Sequence, residues 1–263
     1  MGHTVKPKVF LLGETQANRQ GIRALLEHLG APDWYSSDAT SDSELLTEIM
    51  GRSCYKSFGT KLNPNITRVR KTNKSYLTNT LEKGDGSIFE HCVTNWFFAD
   101  VSRVFTHELV RHRVGVAISQ ESLRFVRLTD LNWYAPTVVE ESEDAMKIYS
   151  ETMETLSQIQ RDLADLFEME EGDKDFDLKK KLTSTFRRLA PLGLATNIGW
   201  SANFRTLRHV IEQRTAPWAE EEIRLVFSEV GTIAMERWPH IFADYETELV
   251  DGLLWFKTAN RKV

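Results

Sequence analysis

Cationic donors surround a short apolar segment in the middle of the chain. Residues 111–124 read RHRVGVAISQESLR, with Arg111, His112 and Arg113 at one end and Arg124 at the other. A guanidinium group can donate two parallel hydrogen bonds to a phosphate and keeps its charge when it loses water. The pattern therefore predicts a pocket for a ligand with phosphates at one end and a flat ring at the other.

A second group of polar and cationic residues follows later in the chain. It consists of Arg187, Arg188, Asn203, Arg205, Arg208, His209 and Arg214. Because Arg205, Arg208 and His209 are three and four residues apart, we expect them on one helical face. A single arginine of this kind is most often a solvated surface residue that makes weak ion pairs. Trp200 and Trp218 lie beside this group and make a purely surface role less favoured.

The composition limits the kind of partner. The 263 residues carry a net charge of −5 and 41% hydrophobic residues, which is enough apolar material for a sizeable core. A negative chain does not favour a general polyanion-binding surface, so no nucleic-acid partner is expected. The sequence contains no signal-peptide-like segment and no run of 18 apolar residues. We expect a soluble cytoplasmic protein with no membrane partner.

Several common sites are missing from the sequence. It has no glycine-rich dinucleotide fingerprint after a strand, no phosphate-binding loop and no paired-histidine zinc motif. Two cysteines, Cys54 and Cys92, are too few for a four-cysteine zinc site, and no metal is expected. Cys92 is expected to point into the core from a strand.

The spacing of apolar residues predicts mixed α and β structure. Strands are predicted at Lys8–Gly13, Cys92–Val101 and Leu194–Trp200. Helices are predicted at Gln16–Leu29, Ser43–Met50, Ser75–Leu81, Val104–Arg111, Glu141 to about Glu170, Leu178–Leu189 and Asn203–Arg214. Pro217 is predicted at the first position of a further helix that ends before Pro239. With no repeat and no clear linker, residues 1–263 are predicted to form one α/β domain with a central sheet flanked by helices.

The segment from Arg111 to Arg124 resembles the signature of flavin-dependent thymidylate synthases. That motif is Arg-His-Arg, seven spacer residues, Ser and, two positions later, Arg. Here Ser122 and Arg124 end the motif after a spacer of eight. Residues 52–55, 86–91 and 106–110 also resemble segments of this family. The spacing of its C-terminal segment is matched by Arg187, Pro191, Asn203, Arg205 and Arg214. The resemblance covers roughly residues 45–245. Three residues differ from the family pattern: the family often has His near the position of Asp85 and Gln at that of Glu108, and some members have Asn at that of His209.

The resemblance implies an activity and its cofactors. Members methylate carbon 5 of dUMP to give dTMP, with methylenetetrahydrofolate as the carbon donor. FAD, reduced by NADPH, supplies the hydride, and the folate leaves as tetrahydrofolate. The implied assembly is a homotetramer of α/β protomers without a Rossmann fold, in which each active site is built at subunit contacts.

The resemblance also implies roles for individual residues. Those implied at FAD are Ser87, Glu90, Arg111, His112, Arg113, Glu121, Asn203, Arg205 and His209. Those implied at dUMP are Glu108, Glu121, Ser122, Arg124, Arg187 and Arg214. Arg214 is the expected catalytic residue, because a fixed cation beside the uracil carbonyl stabilises negative charge there. Such a donor is typically worth about 3–4 kcal/mol. The hydride comes from the cofactor, and the protein orients the reactants.

Alternative interpretations remain open at this point. Thymidylate synthases that use a cysteine nucleophile carry it as Pro-Cys-His, and this chain has no such triplet. Ser122 is a less favoured nucleophile, since no adjacent base is evident. A related flavin and folate enzyme could act on another pyrimidine nucleotide, for example by hydroxymethylation. The arginines could also belong to a non-catalytic nucleic-acid-binding protein, or to a helical scaffold on which they are merely surface residues.

Overall fold

The structure is a computed structural model that describes residues 2–36, 38–59, 61–125, 128, 130–169 and 175–263. The strands are β1 (Thr4–Val5), β2 (Lys8–Glu14), β3 (Val93–Ser102), β4 (Val116–Gln120), β5 (Trp133–Tyr134), β6 (Ala195–Asn203), β7 (Tyr245–Val250) and β8 (Leu253–Thr258). The helices are α1 (Arg19–His28), α2 (Asp42–Tyr55), α3 (Asn73–Lys83), α4 (Arg103–Leu109), α5 (Thr137–Glu140), α6 (Glu143–Leu166), α7 (Phe176–Phe186), α8 (Phe204–Arg214) and α9 (Glu221–Arg237). Short 3₁₀ helices lie at Gly86–Glu90 and Arg187–Leu189.

This arrangement confirms the predicted mixed α and β structure. Each of the three predicted strands is present within a few residues of its expected bounds, as β2, β3 and β6. The long predicted helix is α6, which begins at Glu143, where the Ser142 side chain accepts from the Ala145 N–H. It ends at Leu166, while Glu170, its predicted limit, lies outside the described residues.

The prediction that Pro217 opens a helix is wrong. The helix α9 begins at Glu221, four residues later. The Glu220 carboxylate accepts from the N–H groups of Glu222 and Ile223 at 2.9 and 3.2 Å. An acceptor at this position satisfies N–H groups that a new helix leaves without partners, and its charge suits the positive end of the helix dipole. Pro217 has no such side chain and lies in the preceding turn.

Four strands form the main sheet in the order β2-β3-β6-β4. The Asn203 N–H donates to the Gly115 carbonyl at 3.0 Å, and the Glu121 N–H donates to the Asn197 carbonyl at 2.9 Å. These bonds pair rising with falling residue numbers, so β4 and β6 are antiparallel. β4 was not predicted, although it occupies most of the motif's spacer.

The chain divides into two compact units, and each of the four strands contributes residues to both. Unit 1 comprises Met1–Phe10, Phe97–Arg111 and Ile118–Trp200. Unit 2 comprises Leu11–Trp96, His112–Ala117 and Ser201–Val263. The division falls inside the motif: Arg111 and Arg124 belong to unit 1, whereas His112 and Arg113 belong to unit 2. That the whole chain forms one domain stays a prediction.

Each unit has an aromatic core. In unit 2, the ring of Phe204 lies 4.8 Å from that of Trp238 and 6.3 Å from that of Phe242, both at steep angles. In unit 1, Trp133 stacks on Tyr149 with ring centroids 5.7 Å apart. Edge-to-face and offset pairs of this kind add to the free energy gained by burial alone.

The apolar side chains of α6 are only partly covered. Met153 is buried, whereas the side chains of Ile148 and Leu166 are 63% and 74% exposed. Among the described residues, no helix combines the length and the apolar character that crossing a bilayer requires. An exposed apolar stripe of this kind is typical of a surface that another protein covers.

Candidate functional site

In unit 2 the motif histidine contacts the expected catalytic arginine. Arg214, the last residue of α8, donates from Nε to Nε2 of His112 at 2.7 Å. The ring of His209, on the same helix, lies edge-on to that of His112 with centroids 6.0 Å apart. The two cationic segments of the sequence therefore meet at this point.

His112 is held in its neutral form. Burial, together with the positive charges of Arg214 and His209, lowers the pKa of His112 to about 4. A neutral imidazole that accepts at Nε2 carries its proton on Nδ1. At neutral pH the imidazole therefore orients the guanidinium of Arg214 without cancelling its positive charge.

The segment that follows His112 is fixed to the start of α8. Asn203 caps this helix, with its side-chain oxygen accepting from the Thr206 N–H at 2.9 Å. The Thr206 hydroxyl donates to the carbonyl of Val114 at 2.7 Å. Gly115 has a φ of +68°, and a Cβ added there would lie 2.4 Å from Nδ2 of Asn203. Only glycine can both adopt this positive φ and leave room for the side chain of Asn203.

Arg205 connects α8 to the 3₁₀ helix that carries Ser87 and Glu90. Its Nη1 donates to Oε1 of Glu90 at 2.6 Å, and its Nη2 donates to the carbonyl of Lys262 at 3.1 Å. Ser87 and Arg113 are exposed. All of the residues implied at FAD, except Arg111 and Glu121, therefore belong to unit 2.

Arg208 does not share the exposed face of Arg205 and His209, contrary to expectation. Its side chain is 1% exposed and donates to both carboxylate oxygens of Asp244, at 2.8 and 2.9 Å. Burial alone would raise the pKa of Asp244, but the hydrogen bonds and charge of Arg208 outweigh it and hold that pKa below its usual range. Arg208 is thus a core residue, since a buried arginine requires such a partner.

In unit 1, the predicted residues Glu121 and Arg187 lie near Arg103. Its Nη2 donates to the backbone carbonyl of Glu121 at 3.1 Å, and the Glu121 carboxylate accepts from Asn197 at 2.8 Å. Burial lowers the pKa of Arg103; the charge of Glu121 opposes this, and that of Arg187 adds to it. The buried Nε of Arg103 has no hydrogen-bond partner among the described residues. A buried donor without an acceptor is costly, and an anionic ligand oxygen can satisfy it.

The remaining predicted residues of unit 1 are more open. Arg111, Arg124 and Arg187 are exposed, and Glu108 lies half-buried on α4. The Ser122 hydroxyl accepts from the backbone N–H of Arg124 at 3.3 Å. In the described part of the chain, no imidazole or carboxylate forms a hydrogen bond with this hydroxyl. A serine nucleophile needs such a base, so Ser122 is better suited to binding.

A small polar cavity of about 170 Å³ lies beside Glu121 in unit 1. It is lined by Asp100, Glu121, Leu123, Leu128, Asp130, Asn132, Leu194, Ala195, Thr196 and Asn197. The hydroxyl of Thr196 is buried in this wall and has no partner among the described residues. Side-chain amides and carboxylates around a volume of this size suit a small polar ring with N–H and C=O groups.

Comparison with known proteins gives the family of the chain. Residues 37–240 match the protein family described as thymidylate synthase complementing protein. The chain is 33% identical over 213 residues to the flavin-dependent thymidylate synthase of Corynebacterium glutamicum, covering 80% of this chain and 83% of that one. The chain belongs to the flavin-dependent thymidylate synthase family. It is therefore an enzyme of that family.

A second relative and a solved structure extend the comparison. The flavin-dependent thymidylate synthase of Mycobacterium tuberculosis is 30% identical over 244 residues, which cover 92% of this chain and 95% of that one. The fold is similar to that of the UMP/dUMP methylase PolB from Streptomyces cacaoi, crystallised with 5-Br UMP. The TM-score is 0.62 at 12% identity, over 91% of this chain and 94% of that chain, so this likeness concerns the fold.

Arg103 is the residue that motif spacing misses in this flavin-dependent thymidylate synthase family member. It lies outside the Arg-His-Arg signature, at the first position of α4, after the capping residue Ser102. Its proximity to Glu121 and Arg187 arises only through folding. A cation next to a helix cap is a weak signal by itself, since most such residues face solvent.

The thiols of the two cysteines bond to backbone carbonyls of α2, Cys54 to that of Met50 at 3.4 Å and Cys92 to that of Ser43 at 3.6 Å. Both are free thiols, with Cys54 exposed and Cys92 0% exposed. Burial raises the pKa of Cys92 to about 11, so that the thiol stays protonated at neutral pH. A protonated, buried thiol is a poor nucleophile. The expected core role of Cys92 is confirmed.

Proposed function

We propose that this protein methylates carbon 5 of dUMP to give dTMP. Methylenetetrahydrofolate is the carbon donor, and FAD reduced by NADPH is the hydride donor. The contact between Arg214 and His112 carries the proposal, because it joins the residue implied at uracil to one implied at the flavin. Family membership of the chain supports the same assignment.

The donor set of unit 2 fits an anionic dinucleotide. Asn203 and Arg205 supply amide and cationic donors at the start of α8, the end of a helix that favours negative charge. Arg113 adds a cation on the segment fixed there, while the neutral His112 contacts Arg214 at the other end of the helix. These residues would hold FAD together with Ser87, Glu90 and His209 of the same unit. Arg111 and Glu121, the other residues implied at FAD, belong to unit 1. When bound, FAD supplies the hydride. The protein orients it and excludes water.

Arg214 stabilises the negative charge that develops on uracil. Its Nε–H donates to Nε2 of His112, and this hydrogen bond fixes the plane of the guanidinium. A preoriented cation of this kind needs no reorganisation as charge develops. This polarises the ring without a covalent enzyme nucleophile, in keeping with the buried, protonated thiol of Cys92.

Unit 1 supplies the residues for the dUMP phosphate. Ser122, Arg124 and Arg187 are the implied ligands, and we add Arg103, whose Nε lacks an acceptor. A phosphate offers several acceptor oxygens to guanidinium groups gathered in this way. Glu108 and Glu121 would accept from the ribose or the uracil.

Assembly to a homotetramer is part of the proposal. The exposed apolar side chains of α6, with Ile148 at 63% and Leu166 at 74%, support it because such a stripe requires a covering surface. Light scattering after gel filtration tests it. A monomer at all concentrations contradicts it.

The decisive experiment is an anaerobic assay of the purified protein. It contains methylenetetrahydrofolate and NADPH, with dUMP or UMP, with and without added FAD, and the products are separated by mass. UMP is included because the structural neighbour is described as acting on both nucleotides. We expect dTMP from dUMP, and an increase with FAD.

The other outcomes are informative. A hydroxymethylated product, or methylation of UMP alone, assigns the same chemistry to another pyrimidine nucleotide. No nucleotide product with FAD bound contradicts the proposal. Salt-sensitive binding of DNA or RNA without flavin would support the nucleic-acid interpretation instead.

A further inference from the structure

The last residues of the chain lie on the helix that carries the implied flavin residues. We call residues 260–263 the C-terminal tail. The carbonyl of Lys262 accepts from Nη2 of Arg205 at 3.1 Å, and the carbonyl of Val263 accepts from Nε of Arg208 at 3.4 Å. Arg261 pairs with Glu212 through Nε and Oε1 at 2.7 Å. The tail therefore contacts α8 at Arg205, Arg208 and Glu212, along most of its roughly three turns.

The tail is itself held in place. The amide of Asn260 donates to Asp244 at 2.9 Å, and Asp244 also binds the buried Arg208. The side chain of Val263 is 3% exposed, and its N–H donates to the carbonyl of Asn260 at 3.1 Å. The partner of Arg261, Glu212, is 6% exposed, so this carboxylate depends on Arg261 for a charged partner.

The same contacts determine where Arg205 points. Its guanidinium lies between the carboxylate of Glu90 and the carbonyl of Lys262. Gly86 allows this approach, because an added Cβ would lie 2.9 Å from Nε of Arg205 and 3.2 Å from the Lys262 carbonyl. The Glu90 pair alone is half-exposed, and such pairs hold a side chain weakly.

We propose that the C-terminal tail is a positioning strap that presets Arg205 for the phosphates of the flavin cofactor. The inference rests on the proposed function, in which Arg205 is a flavin residue. A free arginine side chain has many rotamers, and binding must restrict them. The Lys262 carbonyl restricts Arg205 in advance, so less freedom is lost when the cofactor binds.

The test is a double-mutant cycle that combines deletion of the tail with replacement of Arg205. The measured quantity is the affinity of the apoprotein for FAD. Flavin fluorescence is titrated for the parent, for a deletion of residues 261–263, for Arg205→Ala, and for the combination. We expect the deletion to raise the Kd for FAD about three- to tenfold in the parent, the range for releasing one ordered side chain. In the Arg205→Ala background we expect less than about a twofold change.

A matched control separates this effect from the loss of any surface pair. Lys257 pairs with Glu248 at 2.8 Å on the β7–β8 hairpin, and it makes no contact with Arg205 in the described residues. Lys257→Gln should leave the Kd for FAD unchanged. If circular dichroism shows that the chain lacking residues 261–263 does not fold, the Arg261→Gln variant replaces it. The same coupling with Arg205 is then expected, with a smaller change in the Kd for FAD.

The outcomes distinguish this inference from the proposed function. An equal loss of affinity in both backgrounds, or none in the parent, overturns the strap while leaving Arg205 as a flavin residue. Full FAD affinity in Arg205→Ala itself contradicts the role that the proposed function gives to Arg205.

Discussion

The two units treat their cationic side chains differently. In unit 2, Arg205, Arg208 and Arg214 each donate to a protein acceptor, namely Glu90, Asp244 and His112. In unit 1, the Nε of Arg103 is buried without an acceptor, and the side chains of Arg124 and Arg187 form no ion pair within the described residues. One set is already fixed by the protein, whereas the other still has donors to satisfy.

This difference suits two kinds of ligand. A cofactor that is retained benefits from donors that are already ordered, because less conformational freedom is lost on binding. A substrate that arrives and leaves can supply the missing acceptor itself, since its phosphate brings several oxygens. We therefore expect changes in unit 2 to alter FAD affinity or turnover, and changes in unit 1 to alter the KM for dUMP.

The largest expected effect is that of Arg214→Ala. Removing the cation from the uracil site should lower kcat roughly 100- to 1,000-fold, the usual cost of losing one preorganised donor. FAD should still bind, as shown by the flavin absorbance of the purified variant. Arg19→Ala is the control, because Arg19 makes only an exposed pair with Asp42. Full turnover in the Arg214→Ala variant would show that Arg214 takes no part in the chemical step.

Combined replacement of Arg103 and Arg187 by alanine tests the phosphate site. We expect the KM for dUMP to rise roughly 100-fold, the low end for two lost contacts, because each hydrogen bond to a charged group contributes about 1.5–3 kcal/mol. The Kd for FAD should change little. The neighbouring Arg188→Ala is the control, since Arg188 is exposed and, among the described residues, donates only to the Ser184 carbonyl. An unchanged KM in the double variant contradicts the division between the units.

Gly115→Ala should loosen the segment that carries His112. The positive φ and the 2.4 Å approach to Asn203 both oppose a Cβ, at a cost of about 1–3 kcal/mol. A lower Tm and roughly tenfold weaker FAD binding are expected from thermal denaturation and flavin titration. Gly84→Ala is the matched control, with φ +75° but nothing near the added Cβ, so it measures backbone strain alone.

Acidification should act through His112. Its pKa is lowered to about 4 in the folded protein against an ordinary 6.5, so the unfolded chain binds the proton first. The stabilising contribution is complete above pH 6.5 and is lost as the pH falls to about 4. His112→Gln keeps an acceptor for Arg214 and should show a shallower loss of Tm over this window. Identical profiles for parent and variant would assign the dependence to other groups.

The smallest expected effect is that of replacing both cysteines. Cys54→Ala combined with Cys92→Ala should leave turnover within about tenfold of the parent, because the Cys92 thiol is buried and protonated and the Cys54 thiol donates to the Met50 carbonyl. Any loss of stability caused by replacing the buried Cys92 is measured separately, as the change in Tm. Loss of several orders of magnitude in kcat, with folding intact, would restore a thiolate mechanism.

Some features follow from local sequence alone. The strand β3 and the helix α6 are set by runs of β-branched or periodic apolar residues, which fix their type whatever surrounds them. The Arg-His-Arg signature identifies the family because its residues are close in sequence. The hairpin β7–β8 has a readable signal as well, since Asp251-Gly252, both at positive φ, form its two-residue turn.

Other features were decided only by the folded chain. β4 divides the motif between two units, and no periodicity within five residues could predict that. Arg205 and Arg208 look alike in the sequence, yet one is exposed beside Glu90 and the other is buried on Asp244. Their difference depends on partners 115 and 36 residues away. Residue type determines what a side chain can bind, but the acceptors that long-range packing brings within 3 Å determine what it does bind.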